Sequence, residues 1–305
     1  MCWEKLGRVF VADGHHGWML THAAWPRAVH LRDDTFRVFF SARDVRSRSH
    51  IAFVDIDVRR PADVLAVSAT PVLSPGAGGH FDDSGVIPCS VVRLGDRNAL
   101  YYTGLSVTGG HPYRCFCGLA YLDNDLCIAT RVSTEPLLER SEIEPFSGGA
   151  VFVCHQQARG TFHMWYESCV GWTPDASGPV PRFAIKHAIS HDGLRWDRFN
   201  EVCLGDSGER SYVSNPTVLI DRNLFKMWYS YKTGGRYRIG YAESDDGVNW
   251  TRKDDRAGIA TSASGWDSED IEYPFVFTHG RDLYMLYNGN QYGRTGFGLA
   301  RLARD

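Results

Sequence analysis

Five short aromatic segments recur along the chain at a nearly constant interval: FRVFFSA (36–42), ALYYTGL (99–105), FHMWYES (162–168), FKMWYSY (225–231) and LYMLYNG (283–289). Aligned in one register they superpose Phe40, Tyr102, Tyr166, Tyr229 and Tyr287, which lie 62, 64, 63 and 58 residues apart. A period of about 61 residues divides the 305-residue chain into five units. Each aromatic segment follows another strand-like run marked by a proline, Pro26, Pro88, Pro216 or Pro274; the third unit carries Gly149 instead and is the irregular one. Each is followed in turn by a run rich in small residues: SHIAFVDID, CGLAYLD, IKHAIS, IGYAES and FGLARL.

In the third and fourth units this last run enters SHDGLRW (190–196) and SDDGVNW (244–250), which share Ser-x-Asp-Gly-x-x-Trp. Aspartate and glycine make the turn, and the tryptophan is then placed to pack between neighbouring sheets. Many short strands, little helical periodicity and a repeat of this length predict an all-β fold, a five-bladed β-propeller with three or four antiparallel strands per blade. The last unit ends after three strands, whereas GRVFVAD (7–13) precedes the first unit as an orphan. The N-terminal strand is therefore expected to close the last blade and leave neither terminal sheet with an open edge. Residues 1–305 read as one propeller domain.

Charge is nearly balanced, with 33 basic and 36 acidic residues spread along the chain. That pattern excludes the basic footprint of a nucleic-acid or acidic-membrane binder, so the expected partner is a small molecule or oligosaccharide, with no nucleic acid and no membrane. The start of the chain lacks a signal-like apolar run, and the expectation is a cytoplasmic monomer. The eight cysteines read as buried thiols, Cys115 and Cys117 sharing one strand face, and no metal or other cofactor is expected. His15 and His16 read as a surface pair.

In a propeller the start of each inner strand and the end of strand two meet at one rim of the central channel. Two sets of segments therefore converge. The first is THAAWP (21–26), DDSGVIP (82–88), SEIEPFSGG (141–149), GERSYVSNP (208–216) and WDSEDIEYP (266–274); the second is SARD (41–44), TGLSVTGGHPY (103–113), ESCVGW (167–172), SYKTGGR (230–236) and NGNQYGRTG (288–296). Carboxylates crowd this rim: Asp82, Asp83, Glu142, Glu144, Glu209, Asp267, Glu269, Asp270 and Glu272, with Glu167 facing them. Aromatic Trp25, Trp172, Trp266 and Tyr113 and amides Asn215, Asn288 and Asn290 accompany them. Sugar chemistry asks for such a set, because hydroxyls need acceptors, ring faces need aromatic platforms, and glycosidic cleavage needs two carboxyl groups of unlike protonation.

At these residues, FDDSGVIP, SDDGVNW and GWDSED followed by YNGNQYGRTGFGLA, the chain resembles the five-bladed propeller superfamily of glycoside hydrolase families 32, 43, 68 and the phosphorylase-containing family 130. It is most similar to members from bacterial polysaccharide gene clusters. The resemblance implies an acid set in which Asp83, with neighbouring Asp82, supports the transition state and Glu144 or Glu142 donates the proton. Blade one departs from that pattern, with Thr21-His22-Ala23-Ala24-Trp25-Pro26 where an aspartate is expected and Asp44 the nearest acid. Three functions follow. The first is a hydrolase-like or glycosyl-transferring enzyme using Asp83 and Glu144 with Glu269 or Glu209. The second is a phosphorylase or biosynthetic tailoring enzyme in which His22, Arg43 and Arg210 accept an anion. The third is a non-catalytic glycan binder. Arg43 and Asp44 read either as an ion pair orienting the rim or as substrate contacts.

Overall fold

The computed structural model describes residues 1–107, 113–142, 144, 148–174 and 180–302. Parts of two rim segments, residues 108–112 and residues 143 and 145–147, lie outside the described residues.

The chain begins with β1 (Glu4–Phe10) and then lays down five units in order. Blade one is β2 (Thr21–Arg32), β3 (Thr35–Arg43), β4 (Ser49–Asp57) and β5 (Val64–Val67). Blade two is β6 (Gly85–Leu94), β7 (Arg97–Ser106), β8 (Arg114–Leu122) and β9 (Ala129–Arg131). Blade three is β10 (Gly148–Gln156), β11 (Thr161–Thr173), β12 (Val180–Ser190) and β13 (Asp197–Leu204). Blade four is β14 (Ser211–Asp221), β15 (Leu224–Thr233), β16 (Arg236–Ser244) and β17 (Thr251–Arg252). Blade five is β18 (Glu272–His279), β19 (Asp282–Asn288) and β20 (Phe297–Leu302), with β1 antiparallel to β20 as its outermost strand. The fold is thus a five-bladed propeller closed by its N-terminal strand, which starts three residues earlier than the sequence indicated. The inner strands β2, β6, β10, β14 and β18 each touch the next, and β18 touches β2.

Between successive blades lies a separate hydrophobic core, and the five cores are the main cohesive force of the ring. Val38, Phe40 and Val54 of blade one meet Leu286, Phe297 and Leu299 of blade five, with Val9 of β1 added. The remaining interfaces centre on Phe39 with Tyr102, Tyr101 with Met164, Trp165 with Met227, and Trp228 with Met285. The repeat-marking aromatics Phe40, Tyr102, Tyr166, Tyr229 and Tyr287 are all at most 1% exposed. Two of these tyrosines lie flat across a glycine on strand three, Tyr102 over Gly118 and Tyr229 over Gly240; a Cβ at either glycine would overlap the phenol ring.

The Ser-x-Asp-Gly-x-x-Trp turns act as inter-blade clasps. Asp192 Oδ1 accepts the N–H groups of Leu194 and Arg195, and Asp246 Oδ1 those of Val248 and Asn249. This folds the glycine carbonyl outward, where Gly193 O takes the Tyr101 hydroxyl and Gly247 O takes the Trp165 indole N–H at 2.7 Å from the preceding blade. Trp196 and Trp250 pack edge-on against the same Tyr101 and Trp165, as the turn sequence predicts.

Closure by β1 is more than edge pairing. Trp3 is buried against Trp228, its indole donates to Ala257 O at 3.1 Å, and Lys5 reaches Asp267 at 2.6 Å, so β1 ties blade five to blade four. Deleting residues 1–13 is expected to cost about 5 kcal/mol or more, since burial of Trp3 and Val9 is lost and β20 becomes an open edge. Urea unfolding with light scattering checks this: an unchanged midpoint without aggregation contradicts the closure role.

Candidate functional site

Proline cannot donate to a β-ladder, and in the inner strands it falls where the register breaks. Bulges interrupt β2 on both sides of Ala24, β14 on both sides of Ser214, and β18 between Glu272 and Phe275. The residue before the proline takes a left-handed backbone in three blades: Trp25 (φ 56°), Asn215 (φ 52°) and Tyr273 (φ 56°). In blade three, which lacks the proline, Ala150 (φ 47°) does the same. Such conformations cost about 1–3 kcal/mol each and turn the side chain away from its strand face. Trp25, Asn215 and Tyr273 consequently point into a central cavity.

That cavity has a volume of about 540 Å³, within the usual size of small-molecule sites. One side of its wall is aromatic: Tyr113, Phe183, Tyr212, Tyr237, Tyr273 and Tyr292, with Trp25 beside Tyr273 at a ring distance of 5.2 Å. Lys232 enters among these rings, 4.4 Å from the centre of Tyr212 and 4.6 Å from that of Tyr237. The other side is polar, with Arg43 beside Ser41, Ser47, Ser49 and Ser84.

One carboxylate stands among the lining residues, Glu167 on β11. It directly follows Tyr166, so it occupies the register position of Ser41, Thr103, Ser230 and Asn288 in the other blades. In three of those blades the polar side chain at this position accepts the N–H of the next inner strand's left-handed residue. Thr103 Oγ1 takes Ala150 N, Ser230 Oγ takes Tyr273 N and Asn288 Oδ1 takes Trp25 N, each at 2.8 Å. Glu167 has no hydrogen bond or ion pair to its carboxyl among the described residues. Only 6% exposed, it is pushed up to about 8 by burial alone, so at neutral pH it holds its proton. Glu272, next to Tyr273, is fully buried, finds no well-formed hydrogen bond, and is likewise driven well above the carboxylate range by burial and by Asp270.

Other rim acids have partners and other duties. Asp82 accepts the Tyr102 hydroxyl at 3.0 Å and pairs with Arg131 of the outermost strand at 2.7 Å. Asp267 accepts Tyr287 at 3.0 Å and pairs with Lys5 of the outermost strand at 2.6 Å. Glu144 accepts Tyr166 at 3.0 Å and Ser168 at 2.9 Å, and pairs with Arg198 at 2.8 Å and Lys186 at 3.1 Å. These acids bolt strand two to the rim in blades two, three and five; in blade four the Tyr229 hydroxyl goes instead to Asp254, beyond the outermost strand, and in blade one phenylalanine replaces the tyrosine.

Asp83, Glu144, Glu209 and Glu269, expected from the sequence to share the pocket, are not among the residues that line this cavity. Asp83 accepts Gly79 N at 2.9 Å and Ser84 Oγ at 2.8 Å and shapes the rim loop. Glu209 is exposed, as is Glu142, and Glu269 is half exposed in a surface pair with Arg236. Arg210 is taken by Asp254 at 2.8 Å. Asp44 pairs with Arg48 and His50 rather than with Arg43, whose guanidinium has no ion pair among the described residues. Asn288 and Asn290 hold the backbone of their loops, Trp266 stacks on Tyr287, and Trp172 is half-buried on β11 outside the cavity lining. His22 sits beside Arg43, and burial with the charges of Arg43 and Arg294 lowers it to about 4, leaving it neutral. Of the sequence candidates the cavity gathers Trp25, Arg43, Tyr113, Glu167 and Asn215. Tyr212, Lys232, Tyr237, Tyr273 and Tyr292 were missed, although the position before proline marks Tyr273 as it marks Trp25 and Asn215.

No family model matches the chain. It is 40% identical over 303 residues, 99% of either length, to two uncharacterized proteins of Mycobacterium tuberculosis, MT1551 of strain CDC 1551 and Rv1502 of strain H37Rv. Among solved structures it superposes on a protein described as a glycoside hydrolase (TM-score 0.76, 17% identity, 99% of this chain and 94% of the other). It also superposes on a thermostable family-43 glycoside hydrolase (0.68, 15%, 97% and 94%) and on a member of the GH130 family of mannoside phosphorylases, described as containing hydrolases of β-1,2 mannosidic linkages in Candida mannan (0.68, 14%, 99% and 93%). At these identities the likeness establishes the fold.

Two substitutions separate bolts from site. Glu144→Gln strands Arg198 and Lys186 in a buried network and is expected to destabilise the protein by about 3 kcal/mol in denaturant titration. Glu167→Gln is expected to do the reverse. The folded protein keeps the Glu167 proton up to about pH 8 whereas the unfolded chain releases it near the ordinary carboxylate value, so wild-type stability falls as pH rises through that window. The variant should therefore melt higher than wild type at pH 8, by an equivalent of about 4 kcal/mol, and match it near pH 4.5. Equal melting at both values contradicts the buried, unpaired state of Glu167.

Proposed function

The chain belongs to the family of the two Mycobacterium tuberculosis proteins, and for this family member with the fold of propeller glycoside hydrolases we propose carbohydrate-active catalysis in the central cavity, with Glu167 as the proton donor. The observation that carries the reading is a carboxyl held protonated at neutral pH, without a hydrogen-bond or ion-pair partner among the described residues, in a cavity walled by aromatic rings. Cleaving or exchanging a glycosidic bond requires a proton on the departing oxygen, and a carboxylic acid with a pKa near the working pH supplies it best. Trp25 and Tyr273 offer faces for the C–H side of a sugar ring, and tyrosine hydroxyls and Asn215 offer hydrogen bonds to its hydroxyls.

Asn215 has a defined polarity. Arg27, buried and without a carboxylate partner among the described residues, donates to Cys89 O at 2.9 Å, Pro26 O at 3.0 Å and Asn215 Oδ1 at 3.2 Å. Guanidinium has donors only, so the amide oxygen must face it and the Asn215 N–H₂ is left for the ligand.

A second reading concerns the acceptor. Hydrolysis by paired carboxylates needs a second one to activate water or attack carbon, and Glu167 is the one carboxylate among the described lining residues. Transfer to an acceptor that needs no base, such as phosphate, is the alternative this observation favours: the acceptor oxygen bonds to the anomeric carbon as the Glu167 proton passes to the departing oxygen.

The experiment is a screen of oligosaccharides and activated sugars by thermal shift, followed by product analysis of each hit with and without phosphate. Glu167→Gln should lower turnover by about 10²–10⁴-fold while ligand binding is kept, and the wild-type rate should fall as pH rises through about 8. A ligand bound by wild type and recovered unchanged under both conditions would return the protein to the non-catalytic glycan binders.

A further inference from the structure

The polar wall of the cavity has a composition that neutral sugar chemistry does not account for. Arg43, at the end of β3, lines the cavity with its guanidinium free of ion pairs among the described residues; Ser49 faces it across the β3–β4 ladder, and Ser41, Ser47 and Ser84 line the same cavity. Arg294 adds positive potential at the same corner, since its charge together with that of Arg43 disfavours protonation of His22. Among the described residues no carboxylate pairs with Arg43: Asp44, the nearest in sequence, is consumed by Arg48, His50 and the backbone N–H groups of Arg46 and Arg48. The other lining cation, Lys232, is differently placed. It lies under tyrosine rings on blade four, which does not adjoin blade one. Thus one corner holds a guanidinium with planar donors and several hydroxyls, the donor set that recognises a carboxylate or phosphate.

The strand register says what the anion is attached to. Across the β2–β3 ladder Thr21 faces Arg43 and Ala24 faces Ser41, and the residue after Ala24 is Trp25, turned into the cavity by its left-handed backbone. A ring stacked on Trp25 therefore has a substituent within reach of Ser41 and Arg43. The remaining wall offers donors in the same sense, with Asn215 N–H₂ fixed by Arg27. Resting on the carbohydrate reading above, we propose that the cavity takes a sugar bearing an anionic substituent, carboxylate or phosphate, whose ring stacks on Trp25 and whose oxyanion is held by Arg43 and its neighbouring serines.

The test is isothermal titration of the full chain with matched probes: glucose against glucuronate, galactose against galacturonate, mannose against mannose 1-phosphate and mannose 6-phosphate, with acetate and inorganic phosphate as ring-less anions. At least one anionic sugar is expected to bind about 10–100-fold tighter than its neutral parent, the range of a charge-assisted, two-pronged contact, and to weaken with added salt. Whether uronates or sugar phosphates gain identifies the anion. Arg43→Gln should bring the anionic sugar down to its neutral parent, and Arg43→Lys should restore part of the difference; unchanged ligand-free melting of either variant shows that its fold is kept. Neutral parents binding as well as anionic partners overturns the anion subsite and leaves the carbohydrate reading standing. Ring-less phosphate reproducing the full Arg43-dependent affinity also overturns it, because the anion is then not carried by the sugar. If no sugar of either charge binds, the carbohydrate reading falls with it.

Discussion

The structure depends on how the inner strands deal with an interrupted ladder. A proline near the axis leaves a gap in the pairing, and the residue before it turns left-handed, so its N–H must find an acceptor elsewhere. The acceptor comes from the preceding blade: Asn288 for Trp25 and Ser230 for Tyr273, while Thr103 serves Ala150 in the blade without a proline. One short polar side chain after the repeat-marking aromatic thereby couples each of these blades to its neighbour and aims a side chain at the axis. The backbone strain, about 1–3 kcal/mol at each position, is borne by inter-blade cores whose largest members, Trp165, Trp228, Tyr101, Tyr102 and Phe39, are completely buried.

Glu167 stands where this coupling position falls in blade three. Thr103, Ser230 and Asn288 at the same register position complete the scaffold; Glu167 has no such partner among the described residues and keeps its proton in a largely aromatic surrounding. A scaffold position released from its structural duty is where a reactive group can be housed without dismantling the ring. The associated cost in stability is the usual mark of a functional site. The acids that resemble it in sequence do the opposite work. Asp82, Glu144 and Asp267 are structural bolts, each meeting a tyrosine hydroxyl on one side and a cation of the outermost strand on the other.

Much of the fold was legible because its signals are local and repeated. The aromatic period, the prolines before it and the glycine-bearing turns recur within each unit, and the orphan strand at the N-terminus could pair only with the incomplete last unit. Trp196 and Trp250 were legible for the same reason, since the turn that places them lies within seven residues. The site was legible in part. Trp25, Tyr113, Asn215, Arg43 and Glu167 were recognised as rim residues, but so were Asp83, Glu209 and Glu269, which the cavity excludes.

The amino-acid sequence alone determined the number of blades, the order of their strands and the identity of the buried aromatics, because alternation, turn chemistry and periodicity act over short stretches of chain. Only the tertiary structure decided which carboxylates are paired bolts and which, Glu167 and Glu272, are left without an ion pair among the described residues. An acid preceding an inner strand reads the same whether or not a cation reaches it, and those cations arrive from distant chain: Arg131 for Asp82, Arg198 for Glu144, and Lys5, near the opposite end of the chain, for Asp267. Whether a carboxyl keeps its proton is set by the solvent and charges it meets in three dimensions, and ring closure brings those together.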